Sequence, residues 1–473
     1  MNVDASVIER VVKQVLAQVE PSHAAPQTDA GAPGGDCGVF LTMDEAVEAA
    51  FKAQKEYMGR SMHDRACYVK AIRDVVLDQK NLEYISRQAV EETGMGNYEH
   101  KKVKNALAAR KSPGIEDLTT DALSGDDGLT LVEYSPFGVI GAITPTTNPT
   151  ETIICNSIGM LAAGNAVVFS PHPRAKNVSI FLIQAINRAL NEVGAPKNLV
   201  VTVAEPSIEN TNAMMGNPKV RMLVATGGPG IVRTVLQSGK KAIGAGAGNP
   251  PVVVDETADI EKAAREILDG CCFDNNLPCI AEKEVIAVEA IADYLIFNMK
   301  KNGAFEVKDP QIIDQLVKLV TKEKGGPKTE FVGKSAKYIL EQIGITADPD
   351  TRVIIMEVKE EHPFVQEELM MPILPIVRVP DVDCAIDMAV RVEHGNRHTA
   401  MMHSKNVDKL TKMAKLIQTT IFVKNGPSYA GIGVGGEGYT TFTIAGPTGE
   451  GLTSAKSFAR KRRCVLVGGM DVR

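Results

Sequence analysis

Short apolar runs alternate with helical patterns along the chain from Gly138 onward. The runs lie at residues 139–143, 166–169, 199–203, 221–226 and 251–255. Helical periodicity follows each of them, for example over 149–163, where Gly164 is placed to end the helix. Apolar strands that alternate with helices predict an α/β fold whose mostly parallel sheet is covered on both faces.

The regions on either side extend this pattern. The region before the first strand is rich in helices, with amphipathic runs around Asp44–Tyr57 and Ala66–Val90. Residues 260–425 repeat the alternation, which predicts a second α/β domain. Residues 129–134 and 462–467 have strand patterns outside both series, so we expect them outside the main sheets.

Residues 1–20 carry a separate amphipathic pattern. Their apolar side chains recur at helical spacing and form one stripe: Val7, Ile8, Val11, Val12, Val15, Leu16 and Val19. Residues 21–36 are rich in Pro, Gly and Ala, which predicts a flexible linker. A helix tethered in this way either packs back on its own chain, frays, or docks on another protein.

Length and composition limit the classes of protein that remain. The 473 residues predict two or three domains, and 44% hydrophobic with 23% charged residues is typical of globular proteins. We expect no membrane span and no secretory signal, because the long apolar runs that both require are missing. A net charge of −6 gives no reason to expect nucleic acid as a partner. The eight cysteines have neither metal-ligand nor disulfide spacing, which predicts reduced thiols in a cytoplasm and no metal.

Two features could carry chemistry on residue type alone. The turn ATGGPG at 225–230 joins an apolar run to a helical pattern, and such a turn offers free backbone N–H groups to a phosphate. Cys279 is one cysteine among eight, and by itself a cysteine is more often a small core residue than a nucleophile. His394 and His398 could contact substrate or cofactor, but they lie in a loop pattern, where histidines are usually exposed.

Four stretches occur in a fixed order: TPTTNPTE at 144–151, ATGGPG at 225–230, GAGAGNPPVVVDETAD at 244–259 and FDNNLPCIAEK at 273–283. Together they resemble the aldehyde dehydrogenase superfamily, and the resemblance runs from about Val39 to the C-terminus. The chain is most similar to the CoA-acylating branch found in bacterial microcompartments, which oxidises propionaldehyde or acetaldehyde to an acyl-CoA.

The resemblance implies an architecture. A Rossmann-type cofactor domain spans 37–246, with 120–137 contributing to a small bridging β-ribbon, and an α/β catalytic domain spans 247–438. Residues 439–473 complete the ribbon through which these enzymes dimerise, so a homodimer or homotetramer is expected. In this branch a helix such as 1–20 resembles an encapsulation peptide that docks on shell proteins, which implies a location in the bacterial cytoplasm, inside a microcompartment.

The resemblance also implies roles for single residues. Cys279 is the nucleophile, and Asn148, aided by the backbone N–H of Cys279, stabilises the oxyanion. The cofactor-binding residues implied are Pro145, Ser170, Thr226, Gly227, Gly228 and Glu368. Glu368 matches the acidic residue that binds the nicotinamide ribose. Without the resemblance, Asn148 is a turn residue before a proline and Glu368 a solvated residue at a helix end.

The cofactor pocket departs from the pattern of the hydrolytic members. The lysine expected near the adenosine ribose is Ser170, and the acidic residue that follows it is Pro173. NAD is the expectation for the acylating branch, but these two positions give no support for NAD over NADP.

The general base of the hydrolytic members is also missing. The glutamate that activates water there is Gly244 here, in GAGAG, which no strand clearly precedes and which we interpret as a floor beside the active site. A thiol needs less help than water to attack a thioester, so coenzyme A is the expected acceptor. The prediction is an NAD-dependent, CoA-acylating aldehyde dehydrogenase that makes propionyl-CoA through a thioacyl-enzyme.

Several alternatives stay open. Propionaldehyde is favoured over acetaldehyde by the stretches at 91–97, 133–141 and 425–438, although both kinds of enzyme share the catalytic stretches. An acyl-phosphate reductase also lacks the base, but it gives no reason for the helix at 1–20. A catalytically silent scaffold is disfavoured because Cys279 and Asn148 are present together.

Overall fold

A computed structural model describes residues 36–472 of the protein. The predicted helix 1–20 lies outside the described residues, as does the predicted linker 21–36 apart from Asp36. The described part is an α/β fold with two parallel sheets, one three-stranded sheet and one short two-stranded sheet. The predicted fold class is therefore confirmed, whereas the exact domain boundaries stay predictions.

The elements follow one another in regular alternation. The strands are β1 (Val39–Phe40), β2 (Asp121–Gly125), β3 (Gly128–Pro136), β4 (Val139–Thr144), β5 (Ala166–Pro171), β6 (Val200–Val203), β7 (Val220–Thr226), β8 (Lys241–Ala245), β9 (Pro251–Val254), β10 (Glu284–Val288), β11 (Ala304–Glu306), β12 (Val353–Glu357), β13 (Ile373–Val379), β14 (Thr399–His403), β15 (Ile421–Lys424), β16 (Ile444–Ala445), β17 (Gly451–Leu452) and β18 (Ala459–Val467). The α-helices are α1 (Met43–Tyr57), α2 (Met62–Leu77), α3 (Gln79–Thr93), α4 (Tyr98–Lys111), α5 (Pro149–Ala162), α6 (Lys176–Glu192), α7 (Ile208–Gly216), α8 (Pro229–Leu236), α9 (Ile260–Cys272), α10 (Glu289–Lys301), α11 (Pro310–Val320), α12 (Ala336–Glu341), α13 (Pro363–Gln366), α14 (Val382–Val392) and α15 (Val407–Ile417).

The first sheet has the strand order β1-β6-β5-β4-β7-β8, with every pair parallel. The order reverses between β4 and β7, as in doubly wound nucleotide-binding sheets, where ligands bind beyond the carboxyl ends of the strands at the reversal. β4, β5 and β6 are buried at every residue because helices cover both faces. These strands, with β7 and β9, confirm the five predicted apolar runs.

The second sheet has the order β11-β12-β13-β10-β9-β14-β15, again with parallel pairs throughout. Residues 246–250 join β8 to β9, so they lead from the carboxyl edge of the first sheet to the amino edge of the second. Cys279 precedes β10 at that same amino edge. The expectation that no strand leads into the stretch 244–248 is wrong, because β8 runs directly into it.

The helical run predicted around 66–90 is two helices rather than one. Asp78 separates α2 from α3, with φ −56° and ψ 129°. Its carboxylate accepts hydrogen bonds from the backbone N–H groups of Lys80 and Asn81, both at 3.1 Å. This N-cap satisfies backbone N–H donors at the start of α3. The apolar periodicity of the sequence continues across Asp78, so it does not reveal that one helix ends there and another begins. The other predicted run is confirmed as α1.

The third sheet has the antiparallel order β18-β3-β2. It confirms that segments 129–134 and 462–467 form strands outside the main sheets, and it pairs them with each other. Several apolar side chains on this sheet are exposed, among them Leu123 (61%), Val465 (58%) and Val467 (84%). An exposed apolar patch of this kind is typical of a surface that binds another protein.

The largest group of buried apolar side chains runs continuously from the first sheet into the second. It includes residues of β4 and β7 as well as Val252, Val254 and Val285 of β9 and β10. Over residues 36–472, no helix combines the length and apolar character needed to cross a lipid bilayer.

Glu284 at the start of β10 is an exception in this apolar interior. Its side chain is fully buried, and within the described residues neither carboxylate oxygen has a hydrogen-bond partner. Burial raises the pKa of Glu284 well above its ordinary value, and the neighbouring Lys283 only partly opposes this. The folded protein therefore keeps a proton on Glu284 that the unfolded chain releases above pH 4.5 or so.

We predict that Glu284→Gln flattens the dependence of stability on pH. Because the folded-state pKa is raised, the wild-type free energy of unfolding falls as pH rises above the unfolded pKa, and the neutral amide removes this contribution. Urea unfolding at intervals from pH 5 to pH 9 measures the effect. Glu289→Gln is the matched control, since Glu289 is exposed at the start of α10. Identical slopes for Glu284→Gln and wild type would contradict the prediction.

Candidate active site

The carboxyl ends of β4 and β7 bring two of the predicted motifs together. β4 ends at Thr144, and the loop that follows carries Pro145 and then Asn148 at the start of α5. β7 ends at Thr226, and Gly228 occupies the N-cap position of α8. Both motifs thus lie at the reversal of strand order, where a nucleotide is expected in this type of sheet.

The glycine turn leaves room for a ligand at the start of α8. A Cβ atom added to Gly228 would meet no described atom within 4 Å, and one added to Gly227 would lie 3.3 Å from Ile231 Cγ2. Gly228 is exposed, so the first turn of α8 offers its backbone N–H groups to the cleft. These features fit the diphosphate of a dinucleotide. The Thr226 hydroxyl lies 2.8 Å from that of Thr443, which brings the C-terminal segment to the same cleft.

Ser170 lies at the carboxyl end of β5, close to this cleft. Ser170 is buried, and its hydroxyl lies 2.7 Å from Thr211 Oγ1. Beyond the end of β6, the exposed carboxylate of Glu205 accepts two hydrogen bonds from Lys176, at 2.9 and 3.0 Å. Sequence reasoning missed Glu205, although an acidic residue after a neighbouring strand is the usual partner of the adenosine ribose in such sheets.

Cys279 follows a loop whose backbone is held in an uncommon conformation. Asp274, Asn275 and Asn276 all have left-handed φ values, of 50°, 52° and 65°. Asp and Asn tolerate this region better than other non-glycine residues, because their short side chains hydrogen-bond nearby backbone. Here the Asn276 amide donates to the carbonyls of Cys271 and Glu282, at 2.9 and 3.0 Å. The sequence FDNN therefore builds a fixed support for the nucleophile.

The Cys279 thiol is partly buried and is protonated at neutral pH in this structure. Burial raises its pKa to about 12, and the nearby Glu368 carboxylate adds to the rise. The ammonium groups of Lys283 and Lys104 act in the opposite direction. Attack on a carbonyl therefore requires a group that removes the thiol proton.

Glu368, expected at the nicotinamide ribose, lies close enough to Cys279 to affect its ionisation. Burial raises the pKa of Glu368 to about 7, with Lys283 and the backbone N–H of Gly248 opposing the rise. One of its carboxylate oxygens is buried and has no hydrogen-bond partner within residues 36–472. The structure thus places a titratable carboxyl beside the thiol, a role that the sequence did not suggest.

His398 is a second group beside the nucleophile that sequence reasoning misplaced. It is only 1% exposed, so the expectation of a surface histidine is wrong for it, whereas His394 is exposed as expected. A Cβ atom added to Gly248 would lie 2.9 Å from His398 Cγ and 3.0 Å from the Cys279 carbonyl oxygen. Gly248 therefore lets the imidazole approach the nucleophile's backbone, and GAGAG does form a floor beside Cys279.

The His398 ring is neutral and offers one free nitrogen. Burial lowers the pKa of His398 to about 4, with Lys283 contributing. Its Nδ1 lies 2.9 Å from Thr399 Oγ1, and its buried Nε2 has no partner among the described side chains and backbone. Nε2 is therefore available to accept or relay a proton.

Gly244, at the position of the missing base, packs closely against α8. A Cβ atom there would lie 2.7 Å from Val232 Cγ1 of α8, and its next nearest neighbour is Thr448 Cγ2 at 3.7 Å. A side chain at this position would therefore meet α8 first. The expectation that the missing glutamate leaves coenzyme A as the acceptor stays a prediction.

Asn148 does not behave as an ordinary N-cap residue. It begins α5, yet within the described chain its side chain makes no capping hydrogen bond. Its Oδ1 instead accepts a hydrogen bond of 2.5 Å from the buried ammonium of Lys104. This leaves the amide N–H groups to act as donors, which is what an oxyanion requires. The turn interpretation of Asn148 is therefore disfavoured.

A group of buried charges surrounds this contact. Lys101, Lys104, Glu151 and Asp274 are all at most 1% exposed. Lys104 Nζ lies 2.9 Å from Glu151 Oε1 and 2.5 Å from Asp274 Oδ2. We call these four side chains the buried charge cluster. No pattern along the chain indicates this cluster, because its members come from α4, α5 and the loop before Cys279.

The site can thus combine a nucleophile, an amide donor, two proton acceptors and an open glycine turn. Thr226, Gly227, Gly228 and Pro145 lie at one cleft, while Cys279 and Glu368 lie at the amino edge of the second sheet. Ser170 belongs to the outer part of the first cleft, where its hydroxyl is already paired.

Comparison with known proteins gives a consistent result. The model of the "Aldehyde dehydrogenase family" matches residues 41–443. A propanal dehydrogenase (CoA-propanoylating) of Citrobacter freundii is 50% identical over 472 residues, which covers 99% of this chain and 100% of that protein. An acetylating acetaldehyde dehydrogenase of Escherichia coli is 46% identical, with 98% of this chain and 99% of that protein covered.

Solved structures agree with these relatives. A propionaldehyde dehydrogenase of Rhodopseudomonas palustris, with bound CoA and an acylated cysteine, is 73% identical with a TM-score of 0.91, covering 92% of this chain and 100% of that chain. A propionaldehyde dehydrogenase from the fucose utilisation microcompartment of Clostridium phytofermentans is 54% identical with a TM-score of 0.90, at the same coverage of 92% and 100%. An engineered glycolyl-CoA reductase with bound NADP+ is 71% identical with a TM-score of 0.92, covering 94% of this chain and 100% of that chain.

The family match spans most of the chain, and the relatives cover nearly all of it. The nucleophile loop, the glycine turn and the doubly wound sheet are the parts of the molecule on which such a similarity depends. This chain belongs to the aldehyde dehydrogenase family.

Proposed function

We propose that this protein is a CoA-acylating propionaldehyde dehydrogenase, which converts propionaldehyde, CoA and NAD to propionyl-CoA and NADH. The observation that carries the proposal is the surroundings of Cys279. This thiol is partly buried and lies near the Glu368 carboxylate, and its backbone carbonyl lies beside Gly248, which the His398 ring also approaches. The 73% identity to an enzyme solved with CoA and an acylated cysteine supports the same chemistry.

The first step is attack by Cys279 on the aldehyde. The thiol loses its proton to Glu368, a bond forms between sulfur and the carbonyl carbon, and the carbonyl π electrons move to oxygen. Asn148 Nδ2 and the backbone N–H of Cys279 donate hydrogen bonds to that oxyanion. Removal of one such donor typically costs about 2.7–4 kcal/mol of barrier, so the orientation of Asn148 matters.

A nicotinamide held at this cleft would supply the acceptor for the hydride of the substrate carbon. The residues that would hold the dinucleotide are Thr226, Gly227 and Gly228 at the start of α8, with Pro145 and Ser170 along the cleft. The role of these residues is to bind and orient the dinucleotide. Loss of the hydride restores the carbonyl and leaves a thioester on Cys279.

The thioester then passes its acyl group to CoA. The sulfur of CoA attacks the thioester carbonyl, the bond to Cys279 breaks, and the Cys279 thiolate leaves. Glu368, once it has released the first proton to solvent, accepts the proton of the incoming thiol, because its pKa of about 7 makes it a stronger base than His398. A proton acceptor is thus present, and the preference for CoA over water rests on the greater nucleophilicity of a thiol.

Several finer points belong to the same proposal. NAD is favoured as cofactor because the Glu205 carboxylate follows β6 where a ribose diol is usually bound, and a 2′-phosphate there would meet negative charge. The exposed apolar side chains of the three-stranded sheet support assembly into a homodimer or homotetramer. The relative from a microcompartment supports a location within such a shell in the bacterial cytoplasm.

Acetaldehyde is the second candidate substrate. The acetylating relative from Escherichia coli is nearly as similar as the propanal dehydrogenase, with 46% against 50% identity. The two aldehydes differ by one methylene, and a pocket distinguishes such a difference by roughly 10- to 200-fold.

Propionaldehyde oxidation with and without CoA tests the function. We expect NADH formation to depend on CoA, with propionyl-CoA as product and propionaldehyde preferred over acetaldehyde in kcat/KM. Cys279→Ala should lose activity to the detection limit, whereas Cys384→Ala, which alters an exposed cysteine, should not. Propionic acid as the main product, or turnover by Cys279→Ala, would refute the proposal.

The ionisation of the nucleophile gives a prediction for the free enzyme. Because burial and Glu368 raise the pKa of Cys279 to about 12, alkylation of this residue by iodoacetamide should become faster throughout pH 6–10. Mass spectrometry of the labelled peptides measures the rate, and the exposed Cys464 in the same sample serves as a reference. A rate for Cys279 that is already constant at pH 7 would mean that it is a thiolate in the free enzyme.

The stripe of residues 1–20 is proposed to bind shell proteins. These residues lie outside the described part of the chain, so the proposal rests on their amphipathic pattern. Val15→Asp on the stripe should abolish co-purification with shells, whereas Gln14→Asp off the stripe should not. Kinetics in solution should be the same for both variants. Normal entry of Val15→Asp into shells would rule out docking through this stripe.

A further inference from the structure

The ammonium of Lys104 makes three contacts inside the protein. It donates to Asn148 Oδ1 at 2.5 Å, and it lies 2.9 Å from Glu151 Oε1 and 2.5 Å from Asp274 Oδ2. The Lys104 side chain is 0% exposed. The contact with Asn148 is a hydrogen bond, and the contacts with the two carboxylates are ion pairs.

The contact with Asn148 fixes which way the amide points. An ammonium can only donate, so the oxygen of the Asn148 amide must face Lys104 and the nitrogen must face away from it. One N–H of that nitrogen lies near Thr147 Oγ1, at 3.4 Å. The positive charge on the oxygen side also polarises the amide and strengthens its N–H groups as donors.

The contact with Asp274 reaches the loop that supports the nucleophile. Asp274 begins the left-handed stretch 274–276, and its Oδ1 accepts a hydrogen bond of 2.7 Å from the backbone N–H of Asn97. Lys104 therefore links the oxyanion donor to the loop that leads to Cys279. Its own helix, α4, supplies a rigid base for both.

A second lysine, Lys101, also brings positive charge to the cluster, so charge alone does not explain the presence of Lys104. Lys101 is one helical turn away and 1% exposed, and its Nζ lies 3.1 Å from Asp274 and 3.8 Å from Glu151. It donates to the Thr147 carbonyl at 2.6 Å and not to the Asn148 amide. The two lysines thus share the same carboxylates and differ in their contact with the Asn148 side chain.

Buried ions are weak contributors to stability, because the cost of removing them from water offsets much of their attraction. Apolar residues would fill the same space at least as well. The geometry gives another reason for the ions: the carboxylates raise the pKa of Lys104 above its ordinary value despite its burial. The lysine therefore stays charged over the whole pH range in which an enzyme is assayed.

We propose that Lys104 is a positioning residue for the acylation step, holding the Asn148 amide with its N–H groups toward the substrate oxygen and fixing that amide relative to Cys279 through Asp274. The inference rests on the proposed function. It adds that the oxyanion donor is set by a buried cation and not by the turn in which Asn148 lies.

The test compares the two lysines in a charge-balanced background. Glu151→Gln removes one negative charge, so adding Lys104→Met or Lys101→Met leaves the cluster neutral in both cases. With propionaldehyde, NAD and CoA, the Lys104→Met variant should lose about 100-fold in kcat, the lower end of the loss for one oxyanion donor, with little change in KM. Lys101→Met in the same background should lose less than about tenfold, and circular dichroism checks that both fold.

A double-mutant cycle separates positioning from general damage. If Lys104 acts through Asn148, then Lys104→Met should cost little further activity once Asn148→Ala is present, because the donor is already lost. Multiplying losses would overturn the proposal, and so would equal losses for the two lysine variants. An inactive wild-type enzyme would instead refute the proposed function, which keeps the two failures distinct.

Discussion

Three parts of the molecule that are distant in sequence meet at one buried cation. Lys104 on α4 contacts Asn148 at the start of α5, Glu151 one turn further along, and Asp274 in the loop before Cys279. Each carboxylate would be costly to bury alone, and each ion in the group is tolerated only because the others are in place. The relative position of oxyanion donor and nucleophile therefore depends on the whole cluster, and the active site is assembled only when the chain has folded completely.

The site also depends on how the two sheets are joined. The carboxyl edge of the first sheet carries the glycine turn, and the amino edge of the second carries Cys279, with residues 246–250 leading from one to the other. Gly248 lies on this connection and lets His398 and the Cys279 carbonyl come within about 3 Å of the same point. A dinucleotide at the first edge is thereby brought toward a thiol at the second. The short connection explains why the chemistry lies between the sheets.

A proton acceptor is present near Cys279 even though the general base of the hydrolytic members is replaced by Gly244. Burial raises the pKa of Glu368 to about 7, so this carboxylate can accept a proton near neutral pH, whereas burial lowers the pKa of His398 to about 4 and keeps its ring neutral. The thiol itself is held protonated. Such differences in ionisation among neighbours are typical of sites that transfer protons. The choice between water and CoA is then a matter of nucleophilicity and access.

The sequence by itself determined the α/β class, five of the main strands, helices α1 and α5, the strands of the third sheet and the identity of Cys279, Asn148 and the glycine turn as candidates. Those features follow from local periodicity or from motifs whose residues are close together in the chain.

Prediction from the sequence failed at Asp78, where a helix cap lies within a continuous apolar pattern, and at His398, whose burial no loop pattern reveals. The tertiary structure alone decided the buried charge cluster, because ions are tolerated in the interior only when folding brings opposite charges from separate segments into contact.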